Sequence, residues 1–183
     1  MSIFPHILNR GLAHVTRFSA TPQHFPESVA EHSFYAGYIV SLLCDVAEKN
    51  GVKADREKAV TMALVHDMEE MFSGDILTPF KHYSPEVKET IRNVNREVIP
   101  QVFEGLPEEM KAKYISLWNE DSKGESVEAQ MVKVADRLSL LSKCAEEVKV
   151  GNQFFEKIYE SQLKILRDFK APWWQKVRDE VLP

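Results

Sequence analysis

Apolar residues recur along almost the whole chain with the spacing of α-helices, and strand-like alternation is nowhere sustained. The pattern predicts a short amphipathic helix over residues 2–15, a loop over 17–28, and a long helix from Ser28 to about Asn50. Ser28 and Glu31 have the spacing of a capping box, which favours a helix start at this point. The first third of the chain is therefore predicted to be helical, with one loop.

The same spacing continues to the C-terminus. It predicts one continuous helix over residues 55–72, ended by Ser73 and Gly74, and a loop over 76–84. Further helices are predicted over residues 84–103, 106–120 and 124–152, with two more that start near Phe154 and Ala171. Because no repeat, low-complexity tract or linker divides the sequence, the pattern predicts one all-α domain of seven or eight helices over residues 1–183.

A cluster of polar residues interrupts the apolar pattern directly after residues 59–64. His66, Asp67, Glu69 and Glu70 occupy the next turn and a half of the predicted helix. Burying unpaired charge is costly, so these side chains need partners or a ligand. On a continuous helix His66, Asp67 and Glu70 would share one face, and Glu69 would point elsewhere.

Two more polar residues lie at positions where the pattern places apolar side chains. His32 occupies the first turn of a predicted core helix, and Asp136 lies between Val132 and Leu140 on an apolar stripe. Each has an ordinary explanation by itself, as a hydrogen-bonded core histidine or an ion-pair partner. One divalent cation would satisfy all of these residues together, and a mixed set of imidazoles and carboxylates suits Co²⁺, Mn²⁺, Zn²⁺, Fe²⁺ or Ni²⁺.

Composition excludes several classes of protein. The formal net charge is −5 and no basic arm is present, which argues against a nucleic-acid binder. Cys44 and Cys144 have no metal-binding spacing and indicate reduced cysteines. The N-terminus lacks the features of a signal peptide, and the longest uncharged apolar run, residues 33–44, is too short to span a bilayer. We therefore expect a cytoplasmic protein without membrane or nucleic-acid partners.

The order His32, His66-Asp67 and Asp136, all on predicted helices, resembles the HD superfamily of metal-dependent phosphohydrolases. The flanking segments "ESVAEHS", "HDMEEMFSGDILTPFK" and "MVKVADRLSLLSKCAEEVKVGN" look more narrowly like bacterial 5′-deoxynucleotidases of the YfbR type. The resemblance extends from Arg17 to about Asn152. It implies an HD-domain helical bundle.

The resemblance also implies roles for individual residues. Glu70 matches the acid that assists proton transfer or positions the attacking water, and Arg17 matches an arginine that orients the phosphate. The residues that match the ligands of one divalent metal ion are His32, His66, Asp67 and Asp136. Those that match the segment lining the nucleoside are Asp75, Ile76, Leu77 and Thr78.

Two residues bear on the choice of substrate. Where the 5′-deoxynucleotidases carry a tryptophan that crowds the ribose 2′ position, this chain has Phe18. We therefore expect deoxyribose to remain preferred, but by a smaller factor. Lys81, if it is not simply a surface lysine, would meet additional phosphates, which would bring additional Mg²⁺ with them.

The sequence thus favours a 5′-nucleotidase that releases phosphate from deoxyribonucleoside 5′-monophosphates. An HD-type triphosphohydrolase of (deoxy)nucleoside triphosphates is the alternative, followed by a non-catalytic nucleotide- or metal-sensing module and by a plain helical bundle. The resemblance also implies a homodimer or a larger homo-oligomer. Trp173 and Trp174 are predicted either to lie between subunits or to close the core.

Overall fold

A computed structural model describes residues 2–183. Within that range the chain forms seven α-helices of ten residues or more, three single-turn helices and one 3-10 turn, and it forms no β-strand. The helices are α1 (Phe4–Ile7), α2 (Val29–Lys49), α3 (Arg56–Val65), α4 (Glu70–Ser73), α5 (Thr78–Lys81), α6 (Pro85–Val102), α7 (Glu108–Lys123), α8 (Val127–Lys149), α9 (Gln153–Asp168) and α10 (Pro172–Val181); the 3-10 turn covers Gly11–His14. The predicted all-α architecture is confirmed.

The core lies between α2, α3 and α8, with α9 packed along α8. Val40, Met62 and Met131 are fully buried between the first three helices. Trp174 is also fully buried, and its Nε1 donates to the carbonyl oxygen of Leu166 at 2.8 Å. Because the neighbouring Trp173 is buried as well, the tryptophan pair closes the core and does not form a subunit interface.

The N-terminal cap of α2 fixes the position of His32. Ser28 Oγ accepts from Glu31 N at 3.2 Å, while the Glu31 carboxylate accepts from Ser28 N at 2.7 Å. The predicted capping box is therefore present. It starts α2 at Val29, which places His32, fully buried, in the first turn.

The predicted continuous helix over residues 55–72 is wrong. Helix α3 ends at Val65, and residues 66–69 form tighter turns in which Met68 N donates to Val65 O and Glu70 N to Asp67 O. A 3-10-like turn rotates successive side chains by more than an α-helix does. His66, Asp67 and Glu69 consequently all turn inward, which a regular helical face would not allow.

Two smaller elements also differ from the prediction. The expected helix over residues 2–15 is broken into α1 and the 3-10 turn, because Asn9 Oδ1 accepts from Gly11 N at 2.9 Å and competes with helical pairing. The expected loop over residues 76–84 contains the single turn α5. Among residues 2–183, no helix is both long and apolar enough to cross a membrane.

A buried ion pair fastens the loop over residues 17–28 to α8. Glu147 is fully buried and accepts from the backbone nitrogens of His24 and Phe25 at 3.0 and 2.9 Å, and from Lys143 Nζ at 2.7 Å. Burial alone would raise the pKa of Glu147, but these hydrogen bonds to its ionised form outweigh burial and lower the pKa to about 2. The loop that carries Arg17 is thereby held at a fixed position.

We predict that Glu147→Gln lowers the free energy of unfolding by about 3 kcal/mol, because it leaves Lys143 buried without its carboxylate. Urea unfolding measures this, with the exposed neighbour Glu146→Gln as the matched control. Because the pKa of Glu147 is lowered in the folded state, its ionised carboxylate stabilises the fold at every pH above the ordinary glutamate pKa. This stabilisation is lost as the pH falls toward about 2. The difference in the free energy of unfolding between the wild type and Glu147→Gln should therefore become smaller as the pH is lowered. A difference that does not change with pH would contradict the stabilising role of the ionised Glu147.

Candidate metal centre and active site

Three elements bring the predicted metal ligands together. His32 comes from the first turn of α2, His66 and Asp67 from the turns after α3, and Asp136 from the middle of α8. Ligand atoms of His32, His66 and Asp67 lie within 4.8 Å of one another. Asp136 lies outside that group of three but places Oδ1 3.2 Å from His32 Nε2. It is half-buried at the edge of a cavity and is not sealed in the core.

The ring of His66 is oriented by the backbone of α3. Its Nδ1 lies 2.7 Å from the carbonyl oxygen of Ala63, which only accepts, so Nδ1 carries the ring proton. This leaves the lone pair of Nε2 directed toward Asp67, whose Oδ2 is 3.0 Å away. A second hydrogen bond that fixes the tautomer is typical of metal-binding histidines.

His32 has two polar neighbours at Nδ1. Ser139 Oγ lies 3.0 Å from this atom, and Arg17 Nη1 lies 2.8 Å from it. Arg17 is buried, and its Nη1 also donates to Glu27 Oε2 at 2.8 Å. The predicted phosphate-orienting arginine is therefore adjacent to the histidine–aspartate group.

Two observations indicate that the two histidines and two aspartates fit a divalent cation. First, Nε2 of His32 and Nε2 of His66 are buried and have no hydrogen-bond partner among residues 2–183, although carboxylate oxygens lie nearby. Second, burial disfavours charge on His66, yet Asp67 and Asp136 outweigh burial and raise its pKa to about 10. Because a proton and a metal ion compete for the same lone pair, the field that favours the one also favours the other.

The two glutamates of the turn have different surroundings. Glu69, expected to point elsewhere, is buried and accepts from Trp118 Nε1 at 2.6 Å and from Asn95 Nδ2 at 3.3 Å. Glu70 is half-buried, and burial together with the negative charge of Asp67 raises its pKa to about 9. The expectation for Glu69 was wrong because residues 66–69 do not continue the helix.

Asp75 connects two of the predicted site segments. Its Oδ2 accepts from the backbone nitrogen of Phe18 at 2.9 Å, and Gly74, at φ +67°, turns the chain so that it can do so. Phe18 has a φ of +54°, a left-handed conformation that is strained for a residue with a side chain. Its ring packs edge-on against the ring of Phe155, with 5.2 Å between the two ring centroids, and lies beside Arg17. Asp75 thus holds the Arg17-Phe18 turn in place.

The remaining predicted residues divide into two groups. Lys81 lines a cavity of about 240 Å³ together with His66 and Asp67. Ile76, Leu77 and Thr78 form the connection from Asp75 to the start of α5, outside the described lining of that cavity.

Several cavity residues were not predicted from the sequence. Asp121 of α7 has a buried Oδ1 without a partner among residues 2–183, and burial raises its pKa to about 6. An acid near a helix end is usually solvated, so no pattern in the sequence marked Asp121 as a site residue. The basic residues Lys88, Arg92 and Arg96 did carry a signal, because their four-residue spacing places them on one face of α6.

Comparison with known proteins identifies the family. A model of the YfbR-like 5′-deoxynucleotidases matches residues 4–183. The chain belongs to this family. The resemblance to HD-domain phosphohydrolases and to YfbR-type 5′-deoxynucleotidases is thereby confirmed.

One curated relative and two solved structures show what this chain is similar to. A 5′-deoxynucleotidase of Vibrio parahaemolyticus is 29% identical over 148 residues, which are 80% of this chain and 76% of the relative. An HD-domain phosphohydrolase of Listeria innocua has the same fold, with a TM-score of 0.82 and 24% identity over 99% of this chain and 88% of the other. The HD phosphohydrolase DatZ of cyanophage S-2L, solved with dA and one catalytic Zn²⁺, has a TM-score of 0.65 and 19% identity over 98% and 94% of the two chains.

We predict that Asp75→Ala releases the turn at Phe18. A hydrogen bond to a carboxylate contributes about 1.5–3 kcal/mol, so exchange of the Phe18 amide hydrogen should accelerate by about tenfold or more. Asp75→Asn, which keeps an acceptor oxygen, should accelerate it less, and the Glu31 amide at the cap of α2 serves as the internal reference. Amide exchange followed by NMR makes the measurement; an unchanged Phe18 amide in Asp75→Ala would contradict the proposed anchoring.

Proposed function

We propose that this chain is a divalent-metal-dependent phosphohydrolase that releases phosphate from deoxyribonucleoside 5′-monophosphates. The observation that carries the proposal is the pair of buried, partnerless Nε2 atoms of His32 and His66 beside Asp67 and Asp136, with Arg17 in contact. Family membership and the name of the Vibrio relative, a 5′-deoxynucleotidase, support the substrate class.

The four residues would hold one divalent transition metal ion, Co²⁺, Mn²⁺, Zn²⁺, Fe²⁺ or Ni²⁺: His32 and His66 through Nε2, Asp67 and Asp136 through carboxylate oxygens. The catalytic Zn²⁺ of the structurally similar DatZ supports a site of this kind. When bound, such an ion supplies Lewis acidity, which polarises the phosphate ester and makes water a better nucleophile.

Arg17 is the residue we assign to the phosphate. If His32 binds a cation through Nε2, its ring proton lies on Nδ1, where Ser139 Oγ can accept it. Arg17 is a donor only, so it can no longer bond to Nδ1. Its buried guanidinium then becomes available to the phosphate oxygens, where it offsets the charge that develops during hydrolysis.

Glu70 is the residue we assign to proton transfer. Burial and the charges of Asp67 and Asp75 keep its pKa near 9, which favours a protonated carboxyl group able to donate to the leaving oxygen. Positive charge at the centre would lower this pKa toward neutrality, which suits a group that must both release and accept a proton.

The nucleoside is proposed to lie on the Phe18 and Asp75 side of the centre. The strained Phe18 turn, its contact with Asp75 and the following residues Ile76, Leu77 and Thr78 would line this side. Since the Phe18 ring is smaller than that of tryptophan, it excludes less volume near the ribose 2′ carbon. Steric exclusion of one small group contributes only about 1–3 kcal/mol, so the preference for deoxyribose is moderate.

We predict that Asp67→Ala loses both bound metal and activity, because it removes a ligand. Glu70→Ala should keep stoichiometric metal and substrate binding but lose about 10²–10⁴-fold in kcat, the usual contribution of a positioned acid or base. The exposed Glu146→Ala is the control. Elemental analysis measures the metal, and phosphate release from dAMP and dTMP, with Co²⁺, Mn²⁺ and Zn²⁺ tested separately, measures activity.

Several outcomes would contradict the proposal. Stoichiometric metal in Asp67→Ala would remove Asp67 from the ligand set, and wild-type turnover in Glu70→Ala would remove Glu70 from the chemistry. A wild-type chain that binds metal and dAMP but releases no phosphate with any of the three ions would instead be a sensing module. A chain that binds no metal would be a plain helical bundle.

The proposed assembly is a homodimer formed through α2. Phe34, Tyr38 and Leu42 recur every four residues on its outer face and are 62%, 57% and 44% exposed. Leu64 of α3, 47% exposed, extends this patch because it packs beside Gly37. A contiguous exposed apolar patch of this kind is typical of subunit interfaces.

We predict that the wild type is at least dimeric and that Tyr38→Glu is monomeric at micromolar concentration, because it buries a charge in the interface. Ile165→Glu, at an exposed apolar position of α9, is the matched control and should not alter the mass. Light scattering after size-exclusion chromatography makes the measurement; a monomeric wild type, or equal effects of the two variants, would contradict the interface.

A further inference from the structure

Glu69 has no part in the proposed chemistry, although it lies between Asp67 and Glu70 at the end of the turn over residues 66–69. The resemblance to the family gives it no function, and a continuous helix would direct it away from the centre. In the structure it is only 7% exposed and lines the same cavity as His66 and Asp67. A buried carboxylate at this position needs a physical reason.

The hydrogen-bond partners of Glu69 are neutral donors from two different helices. Its Oε2 accepts from Nε1 of Trp118 on α7 at 2.6 Å, and its Oε1 accepts from Nδ2 of Asn95 on α6 at 3.3 Å. Within residues 2–183, no lysine, arginine or histidine nitrogen lies within 4.0 Å of this carboxylate. Because burying a carboxylate without a cation is costly, packing alone does not account for a glutamate here.

Trp118 is the fixed end of this contact. It is 5% exposed and belongs to the hydrophobic core, and its helix α7 packs against α3 and α8. A distance of 2.6 Å is short even for a hydrogen bond to a charged acceptor, and such bonds are directional. The indole therefore determines where the carboxylate of Glu69 lies.

Asn95 adds a second helix to the contact. Among residues 2–183, its bond to Glu69 is the only side-chain hydrogen bond that joins α6 to a segment beyond its own N-terminal cap. The buried residues of α6, Ile99 and Val102, both lie near its C-terminal end. Glu69 thus holds the middle of α6 as well as the turn.

The turn over residues 66–69 depends on an anchor of this kind. Its backbone hydrogen bonds span three residues, as from Glu70 N to Asp67 O at 3.0 Å. Such bonds have poorer geometry than those of an α-helix and are usually found in short pieces. Since Glu69 lies between Asp67 and Glu70, the position of its side chain sets the orientation of both neighbours.

We propose that Glu69 is a positioning residue of the active site. Its bond to Trp118 holds the turn in the conformation that directs Asp67 toward the two histidines and keeps Glu70 beside them. This role rests on the proposed function, which assigns the metal to Asp67 and the proton transfer to Glu70. Glu69 acts through these neighbours, because both of its own carboxylate oxygens already accept hydrogen bonds.

Metal affinity tests this role without turnover. Calorimetric titration with Co²⁺ compares the wild type with Trp118→Phe, which removes the indole donor and keeps an aromatic ring in the core. The matched control is Trp173→Phe. Trp173 is 4% exposed, donates Nε1 to Gln130 Oε1 at 3.0 Å and lies outside the cavity lining.

We expect Trp118→Phe to bind Co²⁺ about 10–100-fold more weakly than the wild type, the usual effect of losing a group that orients a metal ligand. Trp173→Phe should bind Co²⁺ like the wild type. If Trp118→Phe weakens Co²⁺ binding no more than Trp173→Phe does, the positioning role is overturned.

A second pair of variants leaves the core intact. Glu69→Gln keeps an oxygen that can accept from Trp118, and the amide of Asn95 can rotate to accept from the new amide group. Glu69→Ala removes both bonds. Co²⁺ affinity should therefore stay close to the wild type in Glu69→Gln and fall by about 10–100-fold in Glu69→Ala. Equal losses in the two variants would assign the effect to charge and overturn the role, as would no loss in Glu69→Ala.

Turnover of dAMP separates this role from the proposed function. At saturating Co²⁺, Glu69→Ala should lower kcat and leave KM nearly unchanged, because the loop of Arg17 and Phe18 is held by Glu147 and Asp75. A higher KM with unchanged kcat would overturn the role. A wild type that binds Co²⁺ but releases no phosphate would contradict the proposed function alone. Phosphate release by the wild type, together with unchanged Co²⁺ affinity in Glu69→Ala, would overturn only the role of Glu69.

Discussion

The constraint on which the rest of the site depends is the burial of two imidazoles beside two carboxylates. Nε2 of His32 and Nε2 of His66 are withdrawn from water without a hydrogen-bond partner among the described residues, which is costly unless a ligand completes them. The structure fixes both rings in this arrangement, through the capping box that starts α2 and through the Ala63 carbonyl. The same negative field that raises the pKa of His66 would hold a cation.

The contacts that position the residues around this centre involve a buried carboxylate and a residue in a strained conformation. This indicates that the fold specifies the geometry of the centre. Glu147, buried in α8, holds the loop that carries Arg17, and Asp75 holds Phe18 in a left-handed conformation next to it. Both contacts join segments far apart in the chain. A loop fixed at both ends can present Arg17 to the centre with little loss of conformational entropy on binding.

The sequence predicted most of the helices and the set of ligand candidates, because both depend on local patterns. Ser28 and Glu31 marked the start of α2, and Asp136 stood out as a carboxylate within an apolar stripe. The break after Val65 was missed because residues 66–69 contain no glycine or proline that would end a helix. Tertiary contacts, including that of Glu69 with Trp118, favour the tighter turn. The spacing of Lys88, Arg92 and Arg96 showed that they share one helix face, but their position at the cavity could not be predicted, since it depends on how α6 is placed against α5 and α7.

The central claim is that one divalent ion is bound by His32, His66, Asp67 and Asp136. Anomalous X-ray diffraction from crystals grown with Zn²⁺ or Co²⁺, recorded on both sides of the metal absorption edge, tests it most directly. The account predicts one strong anomalous peak about 2.0–2.2 Å from Nε2 of both histidines and from an oxygen of each aspartate. A peak at another position, or none at this centre while the histidines remain bonded to the carboxylates, would contradict it.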